Sequence, residues 1–164
     1  MGIVALRPVR DADLDALFAQ SRDPVSVRMA AFTSEDPDDR AAFDARLARL
    51  RGSADVVLLA VTWNDALVGS VGSFVVDGDT EITYWIDRRV WGRGIASAAL
   101  ALLLDLVTVR PLHARVASDN AGSLRVLRKA GFEVVGVETS FANARQAEIE
   151  ETLLRLDQCP VFDG

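Results

Sequence analysis

The stretch EITYWIDRRVWGRGIASAALALLL, residues 81–104, decides the fold because it joins a strand pattern to a helix pattern through glycine. Residues 81–87 are dominated by β-branched and aromatic side chains, which is typical of a strand. Gly92 and Gly94 allow a sharp turn and a close approach of a ligand to the backbone. From Ile95 onward, apolar side chains recur at helical spacing. The stretch therefore predicts a strand that leads into the N-terminus of a long helix.

The junction between this strand and this helix is a candidate phosphate site. The first N–H groups of a helix have no internal acceptor, and the helix dipole places partial positive charge there. Arg88, Arg89 and Arg93 lie beside the junction and can add charged hydrogen bonds. A Gly-x-Gly turn between a strand and a helix also occurs without any ligand. The junction alone leaves both interpretations open.

Composition favours one ordinary globular domain, residues 1–164, with a sizeable core. The 24 acidic and 18 basic residues leave a net charge of −6, which does not favour nucleic acid or an anionic membrane as a partner. No basic and then apolar leader opens the chain, and Asp105 interrupts the longest apolar run before it could span a bilayer. We therefore expect a cytoplasmic protein.

Cysteine and histidine limit the chemistry that the chain can carry. Cys159 is the only cysteine, which excludes an internal disulfide and a multi-cysteine metal site. His113 is the only histidine, which argues against a metal cluster and against a Ser-His triad. We expect no metal.

The rest of the chain predicts a mostly antiparallel sheet with flanking helices. Apolar runs bounded by turn residues predict strands at residues 3–6, 56–61, 67–76, 112–117, 134–139 and 149–156. Capping residues predict helices that begin near Asp11, Asp36 and Asn120, whereas residues 21–35 are expected to form a short helix or a loop. The strands on either side of the long helix must be parallel, because a helix connects them. The expected fold class is α+β, with about six to seven strands and about four helices.

Two motifs resemble the GNAT superfamily of acyl-CoA-dependent N-acetyltransferases. Arg89-x-x-Gly92-x-Gly94 is similar to the pyrophosphate loop of that superfamily. Asn120-x-x-Ser123, with LRKAGF following four residues after the serine, is similar to a segment of the RimJ/RimL-like branch, which acetylates protein N-termini and related amines. The resemblance covers most of the chain. It implies a single GNAT-like domain whose central twisted sheet contains one splayed parallel pair of strands.

The activity that this resemblance implies is transfer of an acetyl group from acetyl-CoA to a primary amine by direct attack on the thioester. The acceptor would be a protein N-terminal α-amine or a small-molecule amine, without a metal, nucleic acid or membrane. The reaction requires removal of an ammonium proton, stabilisation of an oxyanion and release of a thiolate. A homodimer is compatible with this interpretation.

The resemblance also implies how acetyl-CoA is held. Backbone groups near Trp85 and Ile86 would pair with the pantetheine arm between the splayed strands. Asn120 and Ser123 would lie along the cofactor near its sulfur. The pyrophosphate would be bound by the glycine loop and the first helical turn, whose residues are Arg89, Trp91, Gly92, Arg93, Gly94, Ile95 and Ala96.

Two side chains are candidates for catalysis. Glu81 matches a position where the superfamily often keeps a carboxylate, and it would accept the amine proton directly or through water; alternatively it is an exposed acid at a strand end. Ser123 would hydrogen-bond the leaving sulfur, or it only caps a helix. Leu127 and Ala98 depart from the family pattern, since many members have a tyrosine general acid at the first position and this branch frequently has glutamate at the second.

The acceptor pocket is expected where the chain is least periodic. Those segments are residues 21–35, which include Met29 and Phe32, and residues 141–146. We propose Met29 and Phe32 as substrate-binding residues on this ground.

Two other functions compete with the acetyltransferase hypothesis. A non-catalytic acyl-CoA-binding or sensor module would keep the glycine loop and lack proton-transfer groups, which the two departures favour. A dinucleotide-binding oxidoreductase would need a third glycine where this chain has Ser97. Turnover of acetyl-CoA with an amine separates the enzyme from the binding module.

Overall fold

The structure is a computed structural model that describes residues 2–158, and it is built on a seven-stranded sheet. Its strands are β1 (Val4–Pro8), β2 (Val57–Trp63), β3 (Ala66–Val76), β4 (Asp79–Ile86), β5 (Leu112–Ala117), β6 (Glu133–Ala142) and β7 (Ala147–Leu156). They lie in the order β1-β2-β3-β4-β5-β7-β6. The pairing of β4 with β5 is parallel, and the other neighbours are antiparallel. Cys159 lies outside the described residues.

Five α-helices flank the sheet in the described part of the chain, which confirms the α+β fold class. They are α1 (Leu14–Ser21), α2 (Pro24–Ala30), α3 (Arg40–Arg51), α4 (Ile95–Leu106) and α5 (Ala121–Lys129). Helices α1 and α3 pack on one face of the sheet, and α4 and α5 pack on the other. Between residues 2 and 158, no helix is long and apolar enough to cross a membrane.

One helix start differs from the sequence prediction for a local reason, and the segment predicted as a short helix or a loop contains a helix. The helix predicted to begin near Asp36 begins at Arg40, because the Asp39 carboxylate accepts the Ala42 N–H at 2.9 Å and caps it. Asp36 instead accepts the Asp38 N–H at 3.0 Å in the preceding turn. The segment of uncertain period contains the regular helix α2, which has a proline in its first turn.

The parallel strands β4 and β5 are paired only at their starts. Their register consists of Thr80 opposite Leu112 and Glu81 opposite His113. Beyond Glu81, β4 stays paired with β3 on its other side, and β5 stays paired with β7. The two strands therefore separate toward their C-terminal ends, which confirms the predicted splayed pair.

Strand β3 has a bulge beside Gly69, where its pairing with β2 changes register while its pairing with β4 continues. The register with β2 shifts between Val61 and Thr62, opposite Gly69. A Cβ atom at Gly69 would lie 2.1 Å from the Trp85 carbonyl oxygen, so a side chain is excluded there. The glycine therefore lets β3 approach β4 closely at the end that borders the separated strands.

Candidate functional site

A cavity of about 700 Å³ lies where β4 and β5 separate. Both strands and the start of α5 line it, together with α1, α3 and residues 30–37 on the opposite side. Of the predicted site residues, it brings together Phe32, Glu81, Trp85, Asn120 and Ser123. Met29 is 37% exposed on α2 and does not line this cavity. The cavity has the volume of a typical small-molecule site.

The glycine loop before α4 is shaped to receive an anion. Gly92 and Gly94 both have a φ of 77°, a left-handed conformation in which side chains are strained. No side chain caps α4, and its first hydrogen bond runs from the Ala98 N–H to the Gly94 carbonyl. The N–H groups of Ile95 and Ala96 therefore have no intrahelical acceptor. These N–H groups and the helix dipole are features that favour an anion.

Side chains around the loop are held in place from within the protein. The three arginines have the following partners: Arg88 with Asp23 at 2.8 Å, Arg89 with Asp87 at 2.7 Å, and Arg93 above the Trp63 ring at 5.2 Å. The side chain of Arg89 remains 85% exposed, so it can still donate outward. The Trp91 indole donates to the Ile86 carbonyl at 2.8 Å and ties the loop to the end of β4.

Ser123 has a hydroxyl partner that the sequence analysis missed. The Tyr84 hydroxyl forms a short hydrogen bond with the Ser123 side-chain oxygen and donates to the Ser123 carbonyl at 3.3 Å. The cap of α5 is supplied by Asn120, whose side-chain oxygen accepts the Ser123 N–H at 3.2 Å. The Ser123 side chain is therefore not the helix cap.

Tyr84 is suited to donate a proton. Burial raises the pKa of Tyr84 above its ordinary value of 10.0, and the hydrogen bond with Ser123 opposes that rise. The phenol is therefore protonated at neutral pH. Leu127 is 1% exposed and lines the same cavity, so β4 brings a tyrosine hydroxyl close to the position at which α5 lacks one.

Glu81 belongs to a cluster of three carboxylates around one arginine. The Arg115 guanidinium contacts Glu81 at 2.9 Å, Glu138 at 3.1 Å and Glu151 at 3.3 Å. These contacts raise the pKa of Arg115, and the largest contribution is the hydrogen bond to Glu81. The Glu81 side chain is 13% exposed, so it is not the exposed strand-end acid of the alternative interpretation. Its Oε1 atom accepts a hydrogen bond from Arg115 Nε.

Residues 21–35 and 141–146 are the two segments predicted to line the acceptor pocket, and only the first of them reaches the cavity. Residues 30–34 contribute to the cavity lining, but residues 141–146 do not. That second segment supports the first: the Asn143 amide donates to the Thr33 carbonyl at 2.8 Å, and the Ala144 N–H donates to the Ala31 carbonyl at 3.1 Å. Phe32 is thereby placed at the cavity through contacts of Thr33 and Ala31 on either side of it.

The alternation of strand β4 could have identified Tyr84 from sequence. Because side chains of a strand alternate between faces, Tyr84 lies on the face opposite Glu81, the face that α4 and α5 cover. No such signal existed for Arg115, because its three carboxylate partners come from three other strands. In the part of the chain that the structure describes, no group of three or more His, Cys, Asp or Glu side chains could hold a metal ion.

The chain is similar in sequence to known acetyltransferases. The model of the acetyltransferase (GNAT) domain family matches residues 4–133. The uncharacterized N-acetyltransferase p20 of Bacillus licheniformis is 27% identical over 114 residues, which cover 65% of this chain and 64% of that protein. The matched regions span 45% to 64% of the length of the curated relatives.

Solved structures show the same fold. Mycobacterium smegmatis RimJ in complex with CoA-disulfide has a TM-score of 0.81 and 25% identity, covering 95% of this chain and 82% of that one. Spermidine N-acetyltransferase from Vibrio cholerae, in complex with CoA and spermine, has a TM-score of 0.82 and 15% identity, covering 94% and 95%. At this identity the second likeness concerns the fold alone.

Proposed function

The chain belongs to the acetyltransferase (GNAT) domain family, and from this we propose that it is an N-acetyltransferase of the RimJ/RimL-like branch. It transfers an acetyl group from acetyl-CoA to a primary amine, on a protein N-terminus or a small molecule, by direct attack. Residues 1–164 act as one catalytic domain, and no metal takes part.

The observation that carries this proposal is the separation of β4 from β5 beside an uncapped helix start. Beyond Glu81 no backbone pairing joins β4 to β5, and the strand edge near Trp85 and Ile86 suits the amide groups of a pantetheine arm, with the Ile86 carbonyl already bound by the Trp91 indole N–H. The N–H groups at the start of α4 suit the pyrophosphate, with Arg89 beside them. These two features lie next to each other on β4, the glycine loop and α4, so one extended cofactor can meet both.

The cavity residues then divide the proton transfers between them. Glu81 accepts a proton from the acceptor ammonium with its Oε2 atom, directly or through water, and the neutral amine attacks the acetyl carbonyl carbon. As the carbon–sulfur bond breaks, Ser123 gives its hydroxyl proton to the thiolate and takes the phenol proton of Tyr84, which solvent replaces. The second proton of the attacking nitrogen passes to water as the tetrahedral intermediate collapses, and Glu81 releases its proton to solvent. Because solvent also supplies one proton to Tyr84, the two protons lost by the ammonium amount to one on the thiol and one in solvent.

The remaining site residues have supporting roles in this proposal. Asn120 holds Ser123 in place by capping α5, and Trp91 and Arg93 border the glycine loop. Phe32 forms part of the acceptor wall, and Met29 would meet the more distant part of a peptide acceptor. We place the protein in the cytoplasm. Its proposed partner is an amine, and neither nucleic acid nor a membrane takes part. A homodimer fits the exposed apolar side chains of β6.

Free thiol release from acetyl-CoA tests the proposed function. Purified protein is incubated with acetyl-CoA and a panel of N-terminal peptides, amino acids, polyamines and aminoglycosides, and thiol is measured with a chromogenic disulfide. At least one acceptor is expected to release thiol in step with formation of its acetylated product. Tight acetyl-CoA binding without turnover on any of these acceptors would show the non-catalytic binding module instead.

A further inference from the structure

Two arginines of α3 line the cavity without a counter-ion. The other arginines of this helix are paired, Arg40 with Asp15 and Asp44 and Arg51 with Asp11. Arg46 and Arg49 form no ion pair with any residue between 2 and 158, and both line the cavity together with Phe43. Both arginines are exposed, so the solvent that reaches them is that of the open cavity.

The surroundings of Arg46 leave its charge uncompensated. Its guanidinium carbon lies 5.9 Å from the centre of the Phe43 ring, and protein atoms surround much of the side chain although the open cavity keeps it exposed. This burial lowers the pKa of Arg46, and the positive charge of Arg49 lowers it further. Both causes disfavour the charged form, and an anion in the cavity would offset them.

The acidic residues near the start of α3 form no ion pair with these two arginines. Asp36 and Asp39 line the same cavity, but their carboxylates accept backbone N–H groups at 3.0 and 2.9 Å. Neither carboxylate lies within ion-pair distance of Arg46 or Arg49. The cavity wall formed by α3 thus keeps two guanidinium groups ready to bind.

The wall formed by β4, β5 and β7 carries more carboxylates than guanidinium groups. Glu81 and Glu151 line the cavity there and share Arg115 with the half-exposed Glu138, so three carboxylates surround one guanidinium. This wall favours an ammonium group, whereas the wall of α3 favours an anion. A single acceptor that carries both charges is complementary to the cavity.

We propose that the acceptor is a dipolar amine with a carboxylate or other oxyanion, which Arg46 and Arg49 bind while its amine lies beside Glu81. This inference names the substrate class of the proposed acetyltransferase and rests on that function. Arg46 and Arg49 are specificity-determining residues in this assignment, because they contact the acceptor far from the thioester. Polyamines, which carry no anion, are then poor acceptors.

Matched pairs of acceptors test the assignment. Amino acids from glycine to 6-aminohexanoate are compared with their carboxamides, which keep the amine and remove the negative charge. Thiol release from acetyl-CoA should give a kcat/KM at least about tenfold higher for one or more acids than for the matching amides. Equal values within every pair, or faster turnover of polyamines, would overturn the inference and leave the acetyltransferase function intact.

Substitutions assign the effect to the two arginines. Arg46→Gln and Arg49→Gln should each raise KM for the preferred acid by about tenfold, leave kcat and the amide kinetics unchanged, and lose the preference for acids. Arg46→Lys should keep part of the preference for acids, because lysine still carries a positive charge. Arg128→Gln, on the exposed end of α5, is the matched control and should behave as the wild type. If the arginine variants lost the same fraction of kcat/KM for acids and for amides, direct binding of the anion would be contradicted.

If no acceptor is turned over, the proposed function is refuted. A binding measurement then still tests the inference. The probe is 4-trimethylammoniobutyrate, which has both charges and cannot be acetylated, titrated into protein saturated with CoA. Binding to the wild type should be about tenfold tighter than to the Arg46→Gln, Arg49→Gln double variant. No binding, or equal binding to both proteins, would overturn the inference independently of catalysis.

Discussion

Tyr84 brings a hydroxyl to Ser123 from a strand, although the sequence has leucine at the helical position where many family members have tyrosine. The two residues are 39 positions apart, so their contact depends on how α5 packs over β4. The resemblance could identify Ser123 and the absence of the usual tyrosine, because both are local motif positions. It could not identify Tyr84 as the partner of Ser123, since tertiary packing creates that contact.

Replacing Tyr84 with phenylalanine tests the hydroxyl pair. Tyr84→Phe keeps the ring in the cavity and removes only the proton donor, so turnover should fall by about tenfold to a hundredfold. The KM for acetyl-CoA should stay close to the wild-type value, as measured by thiol release at saturating acceptor. Ser123→Ala should act similarly, and the double variant should be little worse than either, because the two hydroxyls work as a unit.

Unaltered turnover in Tyr84→Phe would remove Tyr84 from proton transfer. Because the pKa of Tyr84 is raised above 10.0, loss of its donor function in the wild type belongs above pH 10. If the activity of the wild type changes with pH near neutrality, the titration of another group must be the cause.

Glu81→Gln tests the proposed base. Glutamine keeps the size of the side chain and an acceptor for Arg115, but it cannot take a proton from the ammonium. Turnover at neutral pH should fall by about a hundredfold, with acetyl-CoA affinity retained. Thiol release and acetyl-CoA titration measure the two effects separately.

Glu138→Gln is the matched control for Glu81, because it changes another partner of the same arginine. Its side chain is 53% exposed and does not line the cavity, so this variant should keep near wild-type turnover. If both variants lost activity equally, the role of Glu81 would be to hold Arg115 rather than to accept a proton.

At the scale of elements, hydrophobic periodicity predicts the strands and helices well, and their starts less well. Strand β5 has the predicted bounds, because proline and a change of pattern mark its ends. Helix α3 begins four residues after Asp36, because several successive aspartates could each serve as its cap and only the backbone conformation selects Asp39. Competition between equivalent caps is not visible in the sequence.

The cap of α2 also links that helix to the turn before the glycine loop. Asp23 accepts the Ser26 N–H at 3.0 Å and pairs with Arg88, and these contacts lower its pKa to about 2, with the Arg88 hydrogen bond as the largest cause. A depressed folded-state pKa stabilises the fold fully above the unfolded-state value of about 4. The stabilisation is then lost as pH falls toward 2.

Asp23→Asn should accordingly be less stable than the wild type by about 0.5–1 kcal/mol at neutral pH, since the pair is partly exposed. Urea denaturation at a series of pH values should show a constant difference from pH 7 to 5 and a shrinking one below about pH 4. Asp38→Asn, which alters the more exposed pair with Arg22, is the control and should change stability little. A difference independent of pH between 5 and 3 would contradict the linkage.

At the scale of the whole molecule, the resemblance predicted the splayed parallel pair, because that pair follows from strand order. The cofactor path that the resemblance implies along the glycine loop stays a prediction. The charge distribution of the cavity was not predictable in this way. Arg46 and Arg51 share one helix and one residue type, yet only Arg51 meets an aspartate from the start of the chain. Which arginines stay unpaired depends on contacts between distant segments.

The central claim is that acetyl-CoA binds along β4, the glycine loop and the start of α4. Gly92 has a φ of 77°, and no atom lies within 4 Å of a Cβ built there, so Gly92→Val strains the loop and occupies the space intended for the pyrophosphate. Gly136→Ala is the control, because its Cβ would meet only the Leu153 side chain at 3.7 Å, an ordinary contact, and it lies in β6 away from the loop. Thermal unfolding of each variant checks that the fold is retained.

Calorimetric titration of acetyl-CoA into the three proteins tests this claim most directly. The wild type and Gly136→Ala should bind acetyl-CoA at one site per chain with equal affinity, and folded Gly92→Val should bind at least about tenfold more weakly. Failure of the wild type to bind acetyl-CoA, or equal affinity in folded Gly92→Val, would contradict it.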